Sequence, residues 1–318
     1  MTAKIKLVAA PGSNAVLPYQ RKYWELYFDI VDFAPENLKD DGRTALIYNY
    51  TDSDLYRDVQ LPLINDHLFD SGPLDASIMT DKEFVLQGAH WMRIHSQWCL
   101  GQQCVPKQPS TPSKFFLLLM NLERYHRDWL FENTQCYLQH SIWSYVERGH
   151  IISDDVIVEH PGHKGTANDI YYVPRWYEET CFSLVAETII DNRATPRSQN
   201  ALFVSEKSFK PLAYQHPFVI HGTEYTLQYL RNLGFETFRS VFDEQYDHTI
   251  PTRRRQQAVI TVVDQLFQEF LEKNTVLQTK QVKDIIEHNH DRFWDPQCVI
   301  QLFEKHVVNT ITQFVESR

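Results

Sequence analysis

The chain of 318 residues predicts an α/β protein built on parallel sheets. Three observations carry that reading. Short apolar runs of strand length recur at Lys4–Ala10, Arg43–Tyr50, Lys114–Met120, Cys181–Glu187 and Phe218–His221. Helical patterns fall between them, as crossover connections require. The last third is dominated by amphipathic helical stretches at Gln256–Lys273, Lys280–His288 and Asp295–Glu316.

Each element has a local reason. Lys4–Ala10 reads as a first strand that stops at Pro11-Gly12-Ser13-Asn14. Arg21–Val31 is aromatic and partly amphipathic, which predicts a helix, and Arg43–Tyr50 predicts the second strand. Phe84–Leu100, with Trp91, Ile94 and Trp98, fits neither period cleanly. VPKQPSTPSK (105–114) combines prolines with small hydroxyl residues and reads as a linker. It divides the chain into 1–111 and 112–318. The second part opens on the strand Lys114–Met120, a polar loop at Asn121–Arg127 and a helix over Arg127–Leu138. Strands at Cys181–Glu187, Phe203–Ser205 and Phe218–His221 follow, with a helix from Glu206 before the last. Thr223 caps a helix over Glu224–Leu233, and Gly234 suits its C-terminal stop.

Composition narrows the class. The chain is 43% hydrophobic and 23% charged, with no apolar run of membrane-spanning length; the longest, Phe115 to Met120, fits a buried strand. A net charge of −10 argues against a broad nucleic-acid surface. Arg253-Arg254-Arg255 is the basic exception, readable as a solvated helix start or as a phosphate patch. Five scattered cysteines, an odd number, and an N-terminus lacking a signal-peptide apolar core predict reduced thiols in a cytoplasm.

Three segments could carry chemistry. Phe203 to Gly222 places Ser205-Glu206-Lys207 where a strand hands over to a helix, and a helix start with an adjacent lysine suits a phosphate. Glu206 can accept from a sugar hydroxyl. The loop after Lys114–Met120 holds Asn121, Arg124 and Arg127, and two arginines can grip a diphosphate bidentately. Glu187 ends its strand. In α/β sheets ligands bind beyond the carboxyl ends of strands, where Asn121, Glu187 and Ser205 all fall. The structural alternatives are an ordinary first helical turn for Glu206-Lys207, surface ion pairs for the arginines, and a buried structural acid for Glu187. Pro211, inside the helix, must shorten or bend it; a bend would aim Lys207 and Lys210 at one pocket.

The order of these segments resembles the C-terminal domain of the α-1,3-fucosyltransferases, glycosyltransferase family 10. The matching pieces are Asn121 with Arg124 and Arg127, Phe182 to Glu187, Ser205-Glu206-Lys207, and Pro217-Phe218-Val219-Ile220. The strings Glu206–Pro211, Tyr229–Phe238 and Asp243–Asp247 are similar to uncharacterised, mainly phage-encoded glycosyltransferase-like proteins. The resemblance covers about residues 113–250. It implies a GT-B-like fold, two Rossmann-like domains facing a cleft with C-terminal helices. Residues 1–111 would form the acceptor-side domain and 112–318 the nucleotide-sugar domain. It further implies an inverting transfer from a nucleoside-diphosphate sugar to a glycan or other hydroxyl, with no obligatory metal, in the host cytoplasm if phage-encoded. The family's catalytic base lies in the region without a match. His90, His95, Asp66, Asp81 and Glu83 are equal candidates there. The polar stretch Asp191–Asn200 departs from the family pattern.

Other chemistries have weaker patterns. Asp52-Ser53-Asp54 could hold a divalent metal in the other large transferase fold, yet arises easily by chance in an Asp-rich chain. His90, His95, Cys99 and Cys104 match no standard zinc spacing. Two further functions stay open: a phage DNA-modifying transferase acting on a flipped hydroxymethylated base, and a sugar-nucleotide- or glycan-binding protein without turnover.

Overall fold

The structure is a computed structural model. It describes residues 112–152, 173–191, 204–272 and 276–295, together with 5–9, 25–32, 44–49, 67–70, 83–85, 157–160, 163–166 and helical positions after 296. The protein is mixed α/β with two parallel sheets. The chain divides into two compact units. The first comprises Met1–Trp98, Asn192–Ala201 and Pro296–Arg318; the second comprises Cys99–Asp191 and Leu202–Asp295. The C-terminal segment thus groups with the first unit, which a single division at the linker does not foresee.

In the first unit, β1 (Ile5–Ala9), β2 (Phe28–Asp32), β3 (Thr44–Asn49), β4 (His67–Asp70) and β5 (Glu83–Val85) form one sheet in the order β2-β1-β3-β4-β5. Every neighbouring pair is parallel. The order reverses between β1 and β3, as in doubly wound folds. Ile5, Phe28 and Ile30 are buried in it. The helix expected over Arg21–Val31 is corrected here: Glu25–Tyr27 is a turn and Phe28–Asp32 a strand. Phe28, Asp29 and Ile30 alternate buried, exposed and buried at period two, and that pattern outweighed the aromatic run before it. Tyr27 donates to Glu304 Oε1 at 2.8 Å, a contact between the two ends of the chain.

The second unit has β6 (Lys114–Met120), β7 (Ile142–Tyr145), β10 (Thr180–Ala186) and β11 (Phe218–His221) in one parallel sheet, ordered β11-β10-β6-β7. A hairpin of β8 (Ile157–His160) and β9 (His163–Thr166) stands apart as its own sheet. The helices are α1 (Tyr125–Leu138), α2 (Pro174–Glu179), α3 (Glu206–Ala213), α4 (Thr226–Asn232), α5 (Thr252–Leu271) and α6 (Lys280–Trp294). α7 (Asn309–Glu316) belongs to the first unit.

The core of the second unit explains its strands. Phe115, Phe116, Leu117, Leu118, Phe182, Leu184, Phe218, Val219 and Ile220 are all buried, a continuous apolar composition that marks strands covered on both faces. Phe115 packs edge-on against Phe182 and Phe267 at 5.2 and 5.0 Å between ring centroids, tying the sheet to α5.

Two short elements were misread. Val204 and Ser205 form no strand; Ser205 is extended at φ −106° and caps α3. α4 is capped at Tyr225, in the left-handed region at φ 64°, and not at Thr223. The Asp247 carboxylate, from the turn before α5, accepts from Leu227 and Gln228 N at 2.7 and 2.9 Å and supplies the missing cap. Gly234 does close α4, at φ +83°, where an added Cβ would meet Arg292 at 2.5 Å.

Candidate functional site

The second sheet is built outward from β6: β7 lies to one side, and β10 then β11 to the other. The crevice outside the carboxyl ends of β6 and β10 is therefore the topological switch point, where ligands bind in such folds. β6 delivers Asn121 there, and β10 delivers Glu187.

Glu187 is fully buried. Its carboxylate accepts from Ser205 N at 2.9 Å, Ser205 Oγ at 2.6 Å, Ser208 Oγ at 2.5 Å and its neighbour Thr188 N at 3.2 Å. Ser205 Oγ in turn accepts from Lys207 N at 3.3 Å. A carboxylate and a hydroxyl thus already answer the start of α3 and its positive dipole end. Glu187 fixes where α3 begins, and through it where Lys207 stands.

The loop after β6 is held as firmly. Arg127 is buried, and its guanidinium donates to Leu122 O at 3.0 Å and Thr188 Oγ1 at 3.5 Å, lacing the β6 exit to the β10 exit. Arg148 pairs with Glu123 and Asp128 at 2.8 and 2.9 Å, and Glu123 N donates to the Glu147 carboxylate. Arg124 differs. It is half-buried at the start of α1 and makes no side-chain hydrogen bond or ion pair among the described residues. Of the two arginines, it is the one available to a ligand.

Two histidines complete the crevice, and no sequence pattern marked them. His126 is 2% exposed, and its Nε2 lies 2.9 Å from Glu187 O. A carbonyl only accepts, so Nε2 carries the hydrogen and Nδ1 offers a lone pair. That Nδ1 has no partner among the described residues. His221, the last residue of β11, is 1% exposed and stacks on Trp129 with ring centroids 6.1 Å apart. Neither of its ring nitrogens has a partner among the described residues. Burial pushes His126 down to about 4 and His221 down to about 3, so both are neutral at pH 7.

A recess of about 40 Å³ lies between β6, β10, α2 and α3; Lys207, Lys210, Pro211, Ser183 and Tyr177 line it. Lys207 and Lys210 both line it. Glu206 starts α3 beside them.

Other candidates have different surroundings. Arg255 is consumed by structure: it is 3% exposed and donates to Gly222 O, Thr249 O, Ile190 O and Glu224. The basic run therefore leaves only Arg253 and Arg254 exposed. The strings Tyr229–Phe238 and Asp243–Asp247 hold each other. Arg231 bonds Glu244 and Asp247 at 3.1 and 3.5 Å, while Thr237 Oγ1 and Phe238 N donate to Glu244 at 2.7 and 2.6 Å. Burial pushes the Glu244 carboxyl up to about 7. Asp52-Ser53-Asp54, Asp66, Asp81, His90, His95, Cys99 and Cys104 lie outside the described residues; Glu83 falls in β5. Among the described residues no group of three or more side chains could hold a metal, and no helix is long and apolar enough to cross a membrane.

No protein-family model and no curated protein matches the chain. A solved structure of an α1,3-fucosyltransferase with GDP-fucose is similar at a TM-score of 0.36 and 9% identity, covering 99% of this chain and 90% of that one.

Proposed function

We propose that this protein is a glycosyltransferase that holds a nucleoside-diphosphate sugar at the carboxyl edge of its second sheet. One observation carries the reading. At the switch point, Glu187, Ser205 and Ser208 lock the start of α3 so that Lys207 lines a recess beside the β6 exit, where Arg124 is unpaired among the described residues. Two cations set against a sheet end suit a diphosphate.

The chemistry follows from charge. An acceptor hydroxyl loses its proton to a base and attacks the anomeric carbon. The bond from that carbon to the diphosphate oxygen breaks, and the oxygen leaves with the electron pair. Negative charge grows on the diphosphate in the transition state, where Arg124 and Lys207 neutralise it. Asn121 and Glu206 are assigned to hydroxyls of the donor, and Glu187, Ser205 and Arg127 to positioning. We assign the base and the acceptor to residues 1–111, in a GT-B-like arrangement with inversion and no obligatory metal. For the DNA-modifying alternative, Arg255 is engaged in structure, so contacts from the basic run would fall to Arg253 and Arg254.

A thermal-shift panel of UDP-, GDP-, CMP- and dTDP-sugars tests the reading. At least one diphosphate sugar is expected to raise the melting temperature, and Lys207→Ala to remove most of that rise. Absence of binding across the panel sinks it.

A further inference from the structure

His126 and His221 take no part in gripping the diphosphate, yet the chain buries both almost completely. They come from different elements, the first turn of α1 and the end of β11, and their ring centroids lie 6.0 Å apart. Each ring is held in place. His126 donates from Nε2 to Glu187 O, and His221 stacks on Trp129. Three ring nitrogens remain: His126 Nδ1 and both of His221 have no partner among the described residues. Buried polar groups are almost always bonded, so this pair points to a partner from outside the chain.

The nitrogens restrict what that partner is. With its hydrogen committed to Glu187 O, His126 offers only a lone pair at Nδ1. A neutral His221 offers one N–H and one lone pair. An ionised phosphate has no hydrogen to give Nδ1. A cation is disfavoured as well. Burial first opposes added positive charge, and so do the guanidiniums of Arg127 and Arg124 about His126 and of Arg255 and Arg127 about His221. A hydroxyl meets both demands, donating to His126 Nδ1 and accepting from the His221 N–H. One oxygen about 2.9 Å from a nitrogen of each ring fits between rings at this spacing.

The geometry points to His126 and His221 as a two-histidine seat for one hydroxyl of the donor, and so as specificity-determining residues. This rests on the donor-binding reading above and names the chemistry that is read. The three nitrogens are closed to solvent, so the hydroxyl enters by local opening at the start of α1. Two parts of a sugar nucleotide carry such a hydroxyl, the ribose and the transferred sugar.

Calorimetric titration of the whole chain separates them. The probes are inorganic pyrophosphate, then UDP, GDP and dTDP, then UDP-glucose, GDP-mannose and dTDP-glucose. His221→Phe keeps a ring on Trp129 and removes both nitrogens. His126→Gln keeps an N–H for Glu187 O and removes the Nδ1 lone pair. A cooperative unfolding transition at pH 7 shows that each variant is folded. Both are expected to weaken the sugar nucleotide that the parent binds by about tenfold, the scale of one lost hydrogen bond to a buried group, and to leave pyrophosphate as in the parent. A loss already seen with the bare nucleoside diphosphate assigns the ribose hydroxyl; a loss seen only with the sugar nucleotide assigns the sugar's. If either folded variant binds the sugar nucleotide like the parent, the two-histidine seat is overturned and the donor reading stands. If pyrophosphate weakens as much as the sugar nucleotide, the hydroxyl selection is overturned. If the parent binds none of the probes, the donor reading falls as well.

Discussion

The two ends of the crevice are polar in opposite ways. At the β10–α3 junction one buried carboxylate, Glu187, collects two serine hydroxyls and two backbone N–H groups. At the start of α1, a few residues away in space through the His126–Glu187 contact, the polar atoms are left over. Arg124 Nε, His126 Nδ1 and both nitrogens of His221 have no partner among the described residues. Buried polar groups are almost always hydrogen-bonded, so a satisfied cluster reads as scaffold and an unsatisfied one as a place where something else binds. The sequence leaves Glu187 open between a ligand contact and a buried structural acid, and the bonds it makes are those of a structural acid.

The largest effect expected from this contrast is Glu187→Ala. It strands two hydroxyls and a buried N–H and removes the anion from the start of α3, so a loss of about 3 kcal/mol or more is expected in urea unfolding. Loss of under about 1 kcal/mol would mean that the junction is not the anchor described.

Acid comes next. Burial holds His126 and His216 near 4 and His221 near 3, all below the ordinary imidazole value of 6.5. The unfolded chain therefore takes up protons first as pH falls. The stability these three contribute is full above about pH 6.5, declines below it and stops declining only beneath the folded values, while Glu244, lifted to about 7 by burial, works the other way between about 7 and 4.5 and offsets part of the loss. Melting temperature measured from pH 8 to pH 4 should trace that decline. In His221→Phe the slope should flatten, and because a ring without unpaired nitrogens replaces one with two, stability at pH 7 should hold or rise. A marked loss at pH 7 would show that His221 has a partner in solution, such as a buried water, and would redraw the contrast.

Arg124→Ala should have the smallest effect on folding, within about 0.5 kcal/mol, because the side chain has no described partner to lose. Donor affinity should nevertheless fall by about tenfold. The reverse outcome, an unstable variant with intact binding, would move Arg124 to the scaffold side.

How far the sequence reaches can be followed residue by residue. Lys114–Met120, the strand ending at Ala186, Phe218–His221 and the α3 start were legible because each is a local pattern: an apolar run, or a serine before a helix. β7 was missed because Ile-Trp-Ser-Tyr is too short to show a period. The β8–β9 hairpin was missed although Val-Ile-Val-Glu-His before Pro161-Gly162 carried a turn signal. Arg21–Val31 failed because aromatic residues serve both helices and strands.

Local sequence settled the α/β class, the strand-end positions of Asn121 and Glu187, and the serine cap that starts α3. These depend on neighbours within a few residues, which set backbone preference. Tertiary structure alone decided that β10 lies beside β6, and so where the switch point falls. It also decided that Glu187 faces the serines of α3, that Arg255 is spent on carbonyls, and that Lys210 shares a recess with Ser183. Those outcomes rest on which polar groups meet across 18 to 65 residues of chain. A hydrogen bond's worth is set by whether its partner is present, and no local pattern records that.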